Sequence, residues 1–295
     1  MRLCRSMNKR IMATGLSVCL SHDVDRVTKT FQYATHFLRH LAHGDLRAAS
    51  YQVRSLAQRG HYWMFERVME VEEALGVRST FFFLNETYPF RPWRLASWRL
   101  ALGYYDLFDA EIQAVIRRLD ARGWEIGLHG SYLSYKDTEL LKREKADLER
   151  IVGHEVGGIR QHYLNLDPST WSRQAEAGFL YDASFGYTDD VGFKENRFQP
   201  FRPLPDRKFY VIPLAIMDGC VLRKAAPLDE ARRVIDQAEA HEACLVLNWH
   251  QERFSEKEFP GWLNLYVELV QECRRRGAQF STIGQYLQRM ARSDV

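Results

Sequence analysis

The sequence predicts an α/β fold, a distorted or incomplete (β/α) barrel with about seven parallel strands. Two observations support this. Short apolar runs alternate with segments of helical periodicity along nearly all 295 residues. Polar residues that can carry chemistry also follow several of the apolar runs. No linker composition interrupts the chain, so residues 1–295 are predicted to form a single domain.

The first predicted strand lies within residues 16–25, which read LSVCLSHDVD. Side chains alternate along a strand, so Asp23 and Asp25 are expected on the same side. Basic residues and the apolar stretch 11–20 precede this point and mimic a secretory signal. No small-residue cleavage site follows, so this stretch is interpreted as containing core strand. No run of 18 apolar residues occurs, and no membrane-spanning helix is expected.

The remaining elements follow from the period of the apolar residues. Later strands are predicted at 79–84, 124–128, 157–160, 179–182, 209–214, 244–248 and 279–281. Helices are predicted at 26–43, 62–75, 110–122, 139–152, 168–177, 228–241, 262–276 and 283–292. Residues 85–108 break the alternation and are rich in aromatic residues and arginine, so they are predicted to form an insertion on the barrel rim.

Composition excludes some classes of function. The net charge is only +3 and the bases are spread among acids, so nucleic-acid binding is not expected. The cysteines are scattered and form no CxxC motif; they are Cys4, Cys19, Cys220, Cys244 and Cys273. This pattern favours reduced, buried thiols in a cytoplasmic protein.

The polar residues that follow strands are expected to meet. They are Asp23, Asp25, His129, Arg160, His162, Asp182, Asp218 and His250. If the strands are parallel, their carboxyl ends gather on one face of the barrel. Asp23 and Asp25 repel each other on one side of a strand unless positive charge lies beside them. A divalent metal is the simplest source of that charge, and metal-assisted hydrolysis is the reaction class it suggests.

Four segments, LSHDVD, EIGLHGSY, GIRQHY and LVLNWH, resemble the motifs of the NodB-homology polysaccharide deacetylases (carbohydrate esterase family four). The resemblance covers roughly residues 16–285. It implies that Asp23 is the general base, that Asp25 and His129 bind the metal, and that His250 is the general acid. It further implies that Arg160 orients Asp23 and that the backbone N–H of Tyr163 stabilises the oxyanion.

The sequence departs from the family pattern in its metal motif. The second histidine of that motif falls on Leu133, which cannot bind a metal. A catalytic zinc normally has three protein ligands. His162 is the preferred third ligand because it replaces the usual proline at the end of a neighbouring strand. His22, Ser131, water, another group or the absence of a tightly bound metal remain alternatives, and zinc is the expected metal.

These assignments predict a metal-dependent hydrolase that removes an N-acetyl or other acyl group from an amino sugar of a surface polysaccharide or its precursor. Trp249 and Tyr132 are expected to line the sugar pocket. Asp182 is placed at the family's fourth motif, beside the substrate and the catalytic groups. The aromatic residues of the insertion either stack on sugar or pack on the core.

Two other functions fit the same pattern. The protein could be a catalytically impaired carbohydrate-binding member of the fold, as the missing second histidine suggests. It could also hydrolyse another non-peptide C–N amide. A nucleophilic serine hydrolase is not expected, because no GxSxG motif occurs.

Overall fold

Nine strands form one sheet in a computed structural model that describes residues 15–56 and 61–293. They are β1 (Ser17–Val24), β2 (Thr80–Leu84), β3 (Glu125–Gly130), β4 (Gly158–Gln161), β5 (Tyr181–Asp182), β6 (Tyr210–Val211), β7 (Leu214–Met217), β8 (Cys244–Asn248) and β9 (Gln279–Ser281). Their order is β6-β5-β4-β3-β2-β1-β8-β7, and β9 pairs with β1. All these strand pairs are parallel. Among the described residues, β6 and β7 do not pair with each other, so the predicted incomplete barrel is confirmed.

The helices surround this sheet. They are α1 (Gln32–Ala42), α2 (Leu46–Ser55), α3 (Phe65–Ala74), α4 (Leu95–Ala101), α5 (Ala110–Ala121), α6 (Thr138–Val152), α7 (Thr170–Glu176), α8 (Asp218–Val221), α9 (Pro227–Ala240), α10 (Trp262–Arg275) and α11 (Ile283–Ser293). Within the described ranges, no helix combines the length and apolarity needed to cross a membrane.

One predicted strand is two strands in the structure. The run 209–214 divides into β6 and β7, with Ile212 and Pro213 between them. Proline has no N–H to donate to a neighbouring strand, so regular pairing stops there. The division of one of the eight predicted strand segments gives nine strands, more than the expected number of about seven.

The predicted helix 26–43 begins later and is followed by a second helix. α1 starts at Gln32 and ends before Gly44, which has a left-handed φ of 72°. Asp45 then caps α2 by accepting a hydrogen bond from the Ala48 N–H at 2.9 Å. The two helices form an antiparallel hairpin beside the carboxyl end of β1, and this hairpin was not predicted from the sequence.

β1 is an interior strand of the sheet and has three neighbouring strands. Its first half pairs with β8 on one side and β9 on the other, and its second half pairs with β2. Seven of its eight residues are buried, as expected for a strand covered on both faces. Residues 16–20 therefore carry core strand, as predicted, whereas residues 11–14 of the signal-like stretch lie outside the described residues.

The described cysteines match the sequence interpretation. Cys19, Cys220, Cys244 and Cys273 are all free and buried. Cys4 lies outside the described residues.

Candidate metal centre and catalytic cavity

A cavity of about 430 Å³ opens at the carboxyl ends of the central strands. Asp23 and Asp25 reach it from the end of β1, His129 from β3, His162 from the turn after β4, and His250 from the residues after β8. Because these strands are parallel, their carboxyl ends meet on one face, as the sequence predicts.

Three side chains form the cluster that suits a metal ion. The ligand atoms of Asp25, His129 and His162 all lie within 4.8 Å of one another. Asp25 Oδ1 is 3.2 Å from His129 Nε2 and 3.8 Å from His162 Nε2. One carboxylate oxygen and two imidazole nitrogens are donors that zinc accepts in catalytic sites.

Hydrogen bonds fix which nitrogen of each imidazole faces the centre of this cluster. His129 Nδ1 lies 2.9 Å from the backbone carbonyl of Arg160, which can only accept, so Nδ1 carries the hydrogen. His162 Nδ1 lies 3.3 Å from Glu86 Oε2 and donates in the same way. In the neutral tautomers, both Nε2 lone pairs then point toward Asp25. Imidazoles that bind metals are oriented by such outer partners.

The cluster needs positive charge at its centre. Asp25 Oδ1 is buried and makes no well-formed hydrogen bond to any described residue. Burial raises the pKa of Asp25, but His162, His129 and His250 together hold it well below its usual value. An ionised carboxylate that faces two lone pairs is stable only when a proton or a cation lies between them. The residues present therefore fit a divalent metal.

Asp23 is held in a separate network beside the cluster. Its Oδ1 accepts a hydrogen bond from Arg160 Nη1 at 2.8 Å, and its Oδ2 accepts one from Asn248 Nδ2 at 2.7 Å. Burial opposes ionisation of Asp23, but the charges of Arg160, His129 and His250 together outweigh it, so the pKa of Asp23 is lowered. Asp23 is therefore an ionised acceptor beside the cluster, as a general base requires.

Arg160 is fully buried and fixed by several contacts. Its Nε donates to the carbonyl of Ala183 at 2.9 Å, and its guanidinium lies 4.5 Å from the centre of the Phe82 ring. This rigid placement allows Arg160 to orient Asp23. The side chain of Arg160 lies behind Asp23, away from the cavity lining.

His250 is paired with Asp218. The backbone N–H of His250 donates to Asp218 Oδ2 at 2.8 Å, and its Nδ1 is 2.9 Å from Asp218 Oδ1. Burial lowers the pKa of His250, but the charge and hydrogen bond of Asp218, together with the charges of Asp25 and Glu252, outweigh this effect and raise the pKa to about 10. Nε2 of His250 lies 3.7 Å from Asp25 Oδ2, so a protonated imidazole faces the cavity.

Tyr163 and Leu164 make the turn that borders the cavity after β4. Both adopt left-handed backbone conformations, with φ values of 58° and 54°. Non-glycine residues seldom adopt this conformation, which is more frequent at functional sites. The Tyr163 ring stacks on His162, with ring centres 4.4 Å apart. The ring centres of Tyr132 and Tyr163 are 5.7 Å apart, but Tyr132 does not itself line the cavity.

Two residues expected near the substrate lie away from the cavity. Trp249 is fully buried and its ring packs on Tyr266. Neighbouring side chains on extended backbone point in opposite directions, so a cavity-facing His250 directs Trp249 into the core. Asp182 is also buried; it bonds to Ser184, Gln174 and Trp171, so it supports the loop after β5.

The other candidate metal ligands also have different surroundings. His22 points to the opposite side of β1 and bonds to Glu72 and to the carbonyl of Trp249. Leu133 borders a separate surface groove with Lys136 and Asp137. Ser131 is buried beside Glu144 and does not line the cavity.

Two polar residues of the site were missed in the sequence. Glu86 lies in the insertion, and its signal is weak because it is one of only two acids in a segment rich in aromatic residues and arginine. Asn248 ends β8 and immediately precedes Trp249 and His250, so its position at a strand end could have indicated it. Both act on groups that the sequence did identify, His162 and Asp23.

The insertion contributes to the site from its two ends. Glu86 contacts His162 near the start of the segment, and the Tyr104 ring packs against the His162 ring near its end, with centres 5.7 Å apart. In contrast, Trp93 and Trp98 are 79% and 48% exposed and do not line the cavity.

Comparisons with known proteins support the fold. No family model and no curated protein matches the sequence. Among solved structures, the chain is similar to a "putative polysaccharide deacetylase from Mycobacterium smegmatis", with 17% identity, a TM-score of 0.60 and coverage of 95% of this chain and 91% of that one. It is also similar to the Puue allantoinase, with 16% identity, a TM-score of 0.56 and coverage of 91% and 88%. The chain has the fold of the NodB-homology (carbohydrate esterase family four) deacetylases, as its motifs predict.

Proposed function

On the basis of this fold and this cavity, we propose that the protein is a metal-dependent hydrolase that removes an N-acetyl or other acyl group from an amino sugar of a surface polysaccharide or its precursor. One observation carries the proposal. The donors of Asp25, His129 and His162 converge beside an aspartate that is paired with a buried arginine. A sugar-binding site alone has no need for that combination.

Each side chain has a place in the reaction. Asp23 accepts the proton of the attacking water, and Arg160 keeps Asp23 ionised and oriented. His250, held by Asp218, donates a proton to the nitrogen of the leaving amine. The backbone N–H of Tyr163 is proposed to donate to the oxygen that becomes negative during attack. The products are the free amine and the carboxylic acid.

Asp25, His129 and His162 would hold the metal, and zinc is the ion we propose. When bound, zinc supplies Lewis-acid polarisation of the carbonyl and lowers the pKa of coordinated water. Glu86 and the Arg160 carbonyl keep the two Nε2 atoms available for it. His162 would thus replace the second histidine of the family motif, whose position is taken by Leu133.

We place the reaction in the cytoplasm, which is consistent with the four free, buried cysteines. The acetylated sugar is proposed over other amides because a polysaccharide deacetylase is among the solved structures that share the fold. The allantoinase shares it as well, so a different non-peptide amide is an outcome that the experiment must separate.

The decisive experiment measures acid release from N-acetylated amino sugars after loading the protein with zinc, cobalt or manganese. The Asp23→Asn variant keeps the shape of the side chain but removes the base, so turnover should fall by about 10²–10⁴-fold. Asp206→Asn is the matched control and should retain full activity, because Asp206 is exposed and does not line the cavity. Metal content should be the same in all three proteins.

Three results would refute the proposal. Binding of acetylated sugars without turnover under any metal would indicate a carbohydrate-binding protein. Release of amine only from non-sugar amides would indicate a different substrate. Equal activity of Asp23→Asn and Asp206→Asn would exclude Asp23 as the base.

A further inference from the structure

The cavity continues beyond the metal cluster along one face of α1. Gln32, Thr35, His36 and Arg39 line it at helical spacing. Arg26, from the segment before α1, and Arg253, from the loop after β8, line the same cavity. Three arginines therefore surround the space next to the reacting centre, on three separate chain segments.

Aromatic rings hold two of these guanidinium groups in place. The Arg26 guanidinium lies 4.5 Å from the centre of the Tyr104 ring and 5.5 Å from that of Phe31. The Arg253 guanidinium lies 4.1 Å from the Phe259 ring and 4.8 Å from the Trp262 ring. Stacking fixes the plane of a guanidinium while leaving its N–H edge able to donate to an oxyanion.

The acids that line the cavity do not neutralise all of this positive charge. Asp23 is paired with Arg160, and Asp25 belongs to the metal cluster. Glu252 Oε1 lies 3.5 Å from Arg253 Nε. Asp218 lies behind His250, and its Oδ2 is 3.9 Å from Arg253 Nε. The side chain of Arg39 makes no hydrogen bond or ion pair with any described residue, so its charge is available to a ligand.

We propose that this arginine-lined half of the cavity binds an oxyanion of the substrate, a carboxylate or a phosphate, and that Arg39 is a specificity-determining residue. The inference rests on the proposed function and names its substrate class, which is an N-acylated amino sugar that carries an acidic group. Arginine suits this purpose because its planar fork matches the oxygens of carboxylates and phosphates.

The experiment measures binding rather than turnover, using calorimetry on the metal-loaded Asp23→Asn protein. The probes are N-acetylglucosamine, N-acetylglucosamine 1-phosphate and N-acetylglucosaminuronic acid. At least one acidic probe should bind about tenfold or more tightly than the neutral sugar. Preference for the phosphate would indicate a phosphate-linked precursor, and preference for the uronic acid would indicate an acidic glycan.

Arg39→Gln in the same background should weaken binding of the preferred acidic probe by about fivefold or more, with less than a twofold effect on the neutral sugar. Arg47→Gln is the matched control, because Arg47 is exposed on α2 and does not line the cavity. Equal binding of neutral and acidic probes, binding of none of them, or equal losses in Arg39→Gln and Arg47→Gln would overturn the inference.

The two proposals can fail separately. Tight, Arg39-dependent binding of an acidic sugar by a protein that releases no acid from any sugar would refute the hydrolase and support the oxyanion site. Turnover of neutral and acidic sugars at equal kcat/KM, unaffected by Arg39→Gln, would support the hydrolase and refute the oxyanion site.

Discussion

Replacing Glu86 by glutamine tests whether His162 is the third metal ligand. Glu86 Oε2 accepts hydrogen bonds from His162 Nδ1 at 3.3 Å and from the Tyr132 N–H at 3.0 Å, while Oε1 accepts from the Tyr88 N–H at 2.8 Å. A glutamine side chain has the same shape but only one acceptor oxygen, so at least one of these donors loses its partner. If the glutamine oxygen still accepts from His162 Nδ1, that hydrogen bond no longer has a negatively charged acceptor.

The expected effect follows from burial and from the role of the contact. The Glu86 side chain is only 2% exposed, so its charge is weakly screened by solvent. Loss of a partner that orients a metal-binding histidine typically costs about 10–100-fold in metal affinity. That range corresponds to about 1.4–2.7 kcal/mol.

Competition between the protein and a chromophoric chelator would measure the zinc dissociation constant, and the visible absorption of the cobalt form would report the ligand set. Glu268→Gln, an exposed glutamate on α10, is the matched control. Circular dichroism would show that both variants are folded. If Glu86→Gln and Glu268→Gln bind zinc within twofold of the parent protein, His162 is not oriented by Glu86 as a ligand, and the site assignment is refuted.

Three further predictions concern the metal motif and the scaffold. Leu133→His should change zinc affinity less than threefold, because Leu133 borders a different groove. For the same reason, it should not restore zinc binding to the His162→Ala variant. Restored binding in the chelator competition would contradict this. Glu258→Gln should destabilise the protein by about 3–5 kcal/mol at pH 7 in urea unfolding, because it leaves the buried Lys29 unpaired. Burial raises the pKa of Glu258, but contacts with His36 and Lys29 outweigh the effect of burial and lower the pKa to about 2. The ionised carboxylate therefore contributes stability above about pH 4.5, and this contribution is lost as the pH falls toward 2. The difference between the parent protein and Glu258→Gln should shrink over that range, and a difference that grows would be evidence against the assignment. Gly158→Ala should cost about 1–3 kcal/mol, because the added Cβ overlaps the Tyr181 ring, whereas Gly219→Ala meets nothing and should be close to neutral in thermal unfolding.

Much of the barrel could be predicted because its strands are short, apolar and followed by polar residues. The end of β1 shows this most clearly: strand alternation alone places Asp23 and Asp25 on one side and turns His22 away. The resemblance to the family motifs then assigns roles to the polar residues at the other strand ends. The fold class needs only local pattern, which the sequence contains.

The parts that could not be predicted depend on contacts between distant segments. The contact of Glu86 with His162 joins residues 76 positions apart, and that of Asn248 with Asp23 joins residues 225 apart. Helix α2 was missed because Gly44 and Asp45 separate it from α1 and its apolar stripe is weak. Trp249 was expected to meet the substrate because aromatic residues near a site often stack on sugars, yet alternation already directs it away from His250.

The pairing of β1 with strands that are distant in the sequence has a consequence for biosynthesis. The strand that bears Asp23 ends at Val24, but two of its neighbours, β8 and β9, lie beyond residue 243. At about 5–20 residues per second, the ribosome needs on the order of ten seconds or more to supply them. Until then the nascent chain carries an apolar strand without these two neighbours, and chaperones have the opportunity to bind it during this interval. Asp23 and His250 can come together only after β8 and the residues that follow it have been made.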